Sequence, residues 1–244
     1  MKFVALVVTE GAMPAEAIAE MNRDWPAYAE EIDRRGDFRL GRELDLPEAG
    51  VATVRVREGE TLVSDGPFVE TKEFIAGIEV LESGDLEQVI DVESRNPVAR
   101  FNPFEIRPLP HDFLLGSGVT AFADGDDVAG IPYLLAIWAQ SAVTATADEA
   151  ADMRASDAWR VEQEEIGTFV LGGAIGARET ATTLRAFNGE IEATPGPFLG
   201  IPESLIGIEV VRAADLDGAV QIAASHPLAR RHAIEVRSFY SPVG

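Results

Sequence analysis

A single motif-rich stretch of this chain is written twice. Asp65-Gly66-Pro67-Phe68 returns as Pro195-Gly196-Pro197-Phe198, Gly77-Ile78-Glu79-Val80 as Gly207-Ile208-Glu209-Val210, and Asp85-Leu86 as Asp215-Leu216. Pro97, Ala99, Arg100, Glu105 and Arg107 match Pro227, Ala229, Arg230, Glu235 and Arg237, and every pair lies 130 positions apart. Between residues 52 and 107, 19 of 56 positions are identical to their counterparts without a gap. Nearer the N-terminus the offset is 131, as Gly36/Gly167, Phe38/Phe169 and Leu40/Leu171 show, so one residue was gained or lost in the loop before Thr53. A fixed offset over so many positions marks a tandem duplication. It predicts one domain over residues 1–109, a linker over 110–131 and a second, degenerate copy over 132–244.

The pattern within one copy gives its fold. Phe3 to Val8 is a continuous apolar run, as in a strand buried on both faces. Pro14 opens a helix, Gly36 closes it, and Ile18, Met21, Trp25, Tyr28 and Ile32 fall on one stripe between them. Pro26 inside that stretch predicts a kink or a restart. Phe38–Leu44 reads as a strand, residues 51–63 as a hairpin turning at Glu58-Gly59, and Phe74–Leu81 as another strand. Asp85 caps a short helix, and Pro103–Pro108 closes with a strand. The order β-α-β, hairpin, β-α-β is a split βαβ, ferredoxin-like, α+β arrangement. The second copy repeats it. A sheet covered by helices on one side leaves its other side to bury, so the two domains are expected to pack sheet to sheet as an intramolecular pseudo-dimeric α+β barrel. The linker, rich in Gly and Asp, reads as an extended tether, with its Phe113-Leu114-Leu115 patch as a docking alternative.

Charge and composition exclude several functions. The formal net charge is −22, with 42 acidic against 20 basic side chains, so the surface repels nucleic acid and anionic membrane. Cysteine is absent, which removes thiol nucleophiles, disulfides and thiolate metal sites. The N-terminal apolar run is too short for a secretory signal or a membrane span, so a soluble, cytoplasmic protein is expected.

The stretch DGPFVETKE, preceded by TVRVREGETLVS and followed by GIEVLES and EIRP, resembles the YCII-related family, in particular its DGPF subgroup. The second copy is similar more weakly, through TLRAFNGEIEATPGPF, GIEVVRAADL and IEVRSF. The resemblance implies a ferredoxin-like, dimeric α+β barrel. It also implies a family mostly without assigned activity, in which a few related proteins act as small lactone isomerases or dehydrochlorinases. A His–Asp pair proposed as catalytic in some members has no counterpart here, because neither first helix contains histidine.

Candidate chemistry gathers at the first motif, where Asp65, Glu70, Thr71, Lys72 and Glu73 surround a Gly-Pro turn. Carboxylates beside a lysine can act as general acid or base when a pocket shifts them, and the same residues can simply stabilise a turn. In the second copy Asp65, Thr71 and Lys72 become Pro195, Ile201 and Pro202, while Glu203 keeps the place of Glu73. Gly-Pro-Phe outlasting its polar neighbours points to a structural role for those three residues. Arg55/Arg185 and Arg107/Arg237 recur, and ion pairs with Glu79/Glu209 or Glu105/Glu235 are expected of them, with anion binding as the alternative. For His111, His226 and His232, capping or surface positions are expected, and none has metal-ligand spacing. Trp25, Tyr28, Trp138 and Trp159 read as core or pocket wall, and Gly172 to Gly176 as a turn. No nucleotide or hydrolase fingerprint is present, so no cofactor and no metal are expected. Two functions stay open: a cofactor-independent isomerase or lyase moving a proton in the barrel cavity, and a non-catalytic module binding a ligand or partner. The expected partners are a small-molecule ligand and a second copy of the pseudo-dimer.

Overall fold

The computed structural model describes residues 1–9, 11–47, 50–68, 73–124, 130–139, 147–187, 189–198 and 203–241. The first repeat forms β1 (Lys2–Thr9), α1 (Ala15–Arg35), β2 (Phe38–Glu43), the hairpin β3 (Val51–Arg57) and β4 (Glu60–Asp65), β5 (Phe74–Glu82), α2 (Leu86–Glu93) and β6 (Phe104–Leu109). A connecting segment holds β7 (Leu114–Leu115) and α3 (Val119–Asp124). The second repeat forms β8 (Ile131–Ala139), α4 (Ala147–Glu165), β9 (Phe169–Ala174), the hairpin β10 (Thr182–Phe187) and β11 (Glu190–Pro195), β12 (Ser204–Ala213), α5 (Leu216–Ser225) and β13 (Ala233–Ser238).

Each repeat supplies a four-stranded antiparallel sheet in the ferredoxin-like order, β6-β1-β5-β2 in the first and β13-β8-β12-β9 in the second. The hairpins depart from the expectation of two self-contained domains. β10-β11 is added to β6, and β3-β4 is added to β13. The two compact units are therefore Met1–Leu46 with Thr71–His111 and Ile175–Gly200, and Pro47–Glu70 with Asp112–Ala174 and Ile201–Gly244. Each takes its hairpin from the opposite repeat. Sequence periodicity cannot choose between the two partners, because β6 and β13 offer the same Glu-x-Arg edge and both hairpins alternate alike.

In unit 1, Phe3, Ala5 and Val7 of β1 face the helices with Tyr28, Ile32, Val89, Val92 and Leu184. Val4, Leu6 and Val8 on the other face of the same strand are buried too, as the unbroken apolar run required. α1 runs as one helix through Pro26 and ends at Gly36, whose φ of 71° is the left-handed conformation glycine adopts at a helix end. Its inward stripe is Ala17, Tyr28 and Ile32; Ile18 and Trp25, expected to face the core, are exposed. Asp85 caps α2 by accepting from the Gln88 amide at 2.9 Å.

In unit 2, Ala52 and Val54 of the hairpin join Tyr133, Leu135, Trp159, Ala219 and Ile234 in the helix-side core. The segment after residue 111 docks here and is no tether. Phe113 and Phe122 are buried, Leu114 and Leu115 pair with Gly172 and Leu171, and the Phe122 ring meets Phe239 edge-on at 4.9 Å. Each buried phenylalanine contributes about 1.5–3 kcal/mol toward docking the segment. Gly172 and Gly173 are strand residues, not a turn, with φ of 155° and 154°. Gly172 leaves room for the Glu209 carboxylate, which a Cβ there would overlap.

Because each sheet borrows a hairpin, fragments 1–111 and 133–241 prepared separately should not yield folded monomers, whereas co-expression should restore a 1:1 complex. Light scattering coupled to size exclusion checks this. A monomeric 1–111 fragment with a cooperative melt would contradict it.

Candidate functional site

The Gly-Pro-Phe turns are fixed in the same way in both units. In unit 1 the Gly196 amide donates to Ala181 O at 2.8 Å, and Thr183 Oγ1 donates to Gly196 O at 2.9 Å. The Phe198 amide donates to Glu105 Oε2 at 2.9 Å. In unit 2 the Gly66 amide donates to Val51 O at 2.7 Å, Thr53 Oγ1 to Gly66 O at 2.9 Å, and the Phe68 amide to Glu235 Oε2 at 3.0 Å. Glu105 and Glu235 are buried on the helix-free faces of β6 and β13. Arg107 Nε donates to Glu105 Oε1 at 2.7 Å, as the recurring Glu-x-Arg pattern predicted. Burial pushes the Glu235 carboxyl upward, against the pull of Arg237 and the Phe68 amide. Among the described residues, Arg55 and Arg185 do not take the expected glutamate partners. Their guanidinium groups lie over the Phe68 and Phe198 rings, at 4.9 and 5.1 Å from the centroids.

Unit 1 opens a cavity of about 800 Å³ beside this turn. It is lined by the end of β1 (Val8, Thr9), the start of α1 (Met13, Pro14, Glu16, Ala17, Glu20), Phe101 to Pro103, and Arg185, Phe187 and Phe198. Pro14 gives α1 no side-chain cap, so first-turn amides keep their donors and the positive end of the helix dipole lies at the wall. Glu20 is held by Arg100 at 2.9 Å. Glu16 forms no ion pair among the described residues.

Of the residues expected to carry chemistry, the structure describes Asp65 and Glu73. Asp65 is exposed at the end of β4 in unit 2, Glu73 belongs to unit 1, and neither lines the cavity. Glu70, Thr71 and Lys72 lie outside the described residues. Among those described, no cluster of His, Asp and Glu has the arrangement of a metal site. The cavity uses the Gly-Pro-Phe of the second repeat, the copy whose motif had lost its polar residues. The signal that could have found it was the contrast between copies, Val8 against Trp138 and Phe187 against Arg57.

A polar node between helices and sheet also escaped sequence reading. Asn96 Nδ2 donates to Glu79 Oε1 at 3.0 Å and Glu93 Oε2 at 3.2 Å and lies 3.4 Å from Tyr28 Oη, all buried. Burial pushes the Glu79 carboxyl up to about 7 and raises Glu93 well above the usual carboxylate range, the Glu79 charge adding to the rise. Tyr28 is raised for the same reasons. In unit 2 the node is rebuilt with opposite charge. Arg160 Nε donates to Glu209 Oε1 at 2.8 Å, and His226 replaces Asn96, its Nδ1 accepting from the Leu228 amide at 3.2 Å. The expected capping role of His226 is met, at a fully buried position and not at the surface. Its Nε2 lies 3.6 Å from Glu209 Oε1, and its ring stacks edge-on against Trp159 at 4.5 Å.

The Glu79–Glu93 pair makes stability depend on pH in a definite direction. A carboxyl with a raised folded-state pKa contributes fully below the unfolded value near 4.5, and the contribution is lost as pH rises toward the folded value. For Glu79 that window runs from 4.5 to about 7, and for Glu93 it extends higher. Urea midpoints should therefore fall between pH 5 and 8, and Glu93→Gln should flatten the fall. Parallel slopes for the two proteins would contradict this. Glu105→Ala should cost on the order of 3–5 kcal/mol, because it strands a buried Arg107; denaturation at fixed pH measures it.

Comparison with known proteins places this geometry in a family. A curated, uncharacterized protein of Rhizobium meliloti (strain 1021) is 37% identical over 68 residues, covering 26% of this chain and 53% of that protein. The chain thus spans about half the length of that relative. A solved structure provisionally named a chlorite dismutase aligns over 98% of this chain and 94% of its own, with 10% identity and a TM-score of 0.40. The family model of the YCII-related domain matches twice, over residues 1–111 and again over 133–241. A duplicated fold, a turn anchored identically in both units and this double match together make the chain a member of the YCII-related domain family that carries the domain in tandem.

Proposed function

We propose that this protein binds a small amphipathic anion, such as an aromatic or apolar carboxylate, in the unit 1 cavity. One observation carries the reading: a cavity of about 800 Å³ in which, among the described residues, an apolar wall meets the guanidinium of Arg185. Val8, Met13, Phe101, Phe187 and Phe198 would bury the apolar body of such a ligand, and few convergent polar groups would orient it. Arg185 and the uncapped start of α1 would meet its charge. With a chain net charge of −22, attraction for an anion has to be local.

The finer form of the proposal is a cofactor-independent isomerase or lyase step, in which a carboxylate takes a proton from bound substrate and returns it at another position. Glu16 is the lining carboxylate without an ion pair among the described residues, so it is the base we assign. Asp65, Glu70, Lys72 and Glu73 remain the rival set, and a ligand-binding module without turnover is the alternative class. Thermal-shift screening against small acidic and aromatic metabolites tests the binding claim. Arg185→Gln should weaken anionic hits about tenfold, roughly 1.4 kcal/mol, and hits indifferent to Arg185→Gln would refute it. Where a hit is turned over, Glu16→Gln should abolish turnover and retain binding. Loss through Asp65→Asn or Lys72→Met instead would move the chemistry to the first motif.

A further inference from the structure

Trp138 stands in unit 2 where Val8 stands in unit 1. The Val8 amide donates to Pro103 O, Trp138 lies opposite Ala233, and both Val8/Trp138 and Pro103/Ala233 are 130 positions apart. Part of the surrounding frame is the same, with Arg185 over Phe198 in one unit and Arg55 over Phe68 in the other, while Phe187 gives way to Arg57. One frame encloses an isopropyl group and open space; the other encloses an indole. The Trp138 side chain is buried, 5% exposed, and its ring lies 6.3 Å from that of Phe68 at 39°. Among the described residues its Nε1 finds no acceptor, whereas Trp159 Nε1 donates to Ser225 Oγ at 2.8 Å.

We propose that Trp138 is a built-in occupant of the unit 2 counterpart of the cavity, so that the chain keeps one anion site where its duplication would give two. This rests on the ligand reading of unit 1. Arg55 and Phe68 are the retained frame of the closed site, and removing the indole should let it take the same class of ligand, an aromatic body bearing one negative charge. Because the Trp138 indole makes no hydrogen bond among the described residues, its truncation orphans none of them.

The dye 8-anilinonaphthalene-1-sulfonate has this chemistry and brightens in apolar surroundings, and titration of the full chain with it tests the proposal. Wild type should bind one dye per chain, Val8→Trp none, and Trp138→Val two. The double variant should bind one. Near-ultraviolet circular dichroism and a cooperative melt identify the folded samples, since the dye also lights up loosely packed states. If Trp138→Val does not fold, Trp138→Leu and Trp138→Phe are read in the same way, with a second dye expected in the smaller of the two that folds. A folded Trp138 variant that still binds one dye overturns the proposal. Absence of dye from wild type would defeat the unit 1 reading instead, while one dye gained by Trp138→Val would then still support occlusion by the indole.

Discussion

A hydrogen bond from a phenylalanine amide to a buried glutamate holds this architecture together. Each Gly-Pro-Phe turn ends a hairpin that has left its own repeat, and the Phe198 and Phe68 amides reach Glu105 and Glu235 of the opposite repeat. A carboxylate so buried costs several kcal/mol unless it is met by donors. The turn supplies one and an arginine two positions along the same strand supplies charge. Placing the hairpin and satisfying the glutamate are therefore one event. That explains why Thr53/Thr183, Arg55/Arg185, Gly66/Gly196, Phe68/Phe198, Glu105/Glu235 and Arg107/Arg237 are among the positions the copies still share.

Where the copies differ, the differences form compensated sets. Glu93 and Asn96 of the first repeat become Ala223 and His226, and the acid pair that shares a buried pocket with Tyr28 gives way to an arginine–glutamate pair beside a histidine and Trp159. Each solution meets one carboxylate oxygen of a glutamate at the same point of its own sheet. A glycine on the neighbouring strand, Gly41 or Gly172, makes room for it in both. The glutamate and glycine are fixed by the sheet; the groups that answer them are free to vary together.

Much of this was legible in sequence. The offset of 130 gave the duplication, alternation gave the hairpins, and β-α-β order gave the split βαβ sheets. The cavity in unit 1 was not legible, because residue type at a turn says nothing of which cavity the turn borders. Strand exchange was invisible, since β6 and β13 present equivalent edges to either hairpin. The docked connection was legible only as the alternative to a tether, because Phe113 and Phe122 are too far apart for any period, and their partners, β9 and Phe239, are distant in sequence. The inward face of α1 was misplaced at its first half, where small Ala17 takes the core position that larger Ile18 and Trp25 seemed to claim.

Hairpin exchange has a consequence for how such a protein can change. In a symmetric homodimer every substitution appears at both sites at once, so neither can be lost without losing the other. Fusing the copies makes the partners distinct and keeps them together at an effective concentration set by the chain, independent of expression level. Inheritance is then crossed: residues 182–198 belong to the second repeat by descent and to the first repeat's unit by position. Mutations in one half of the gene are selected through the surroundings of the other, and the two halves are bound to evolve as a pair.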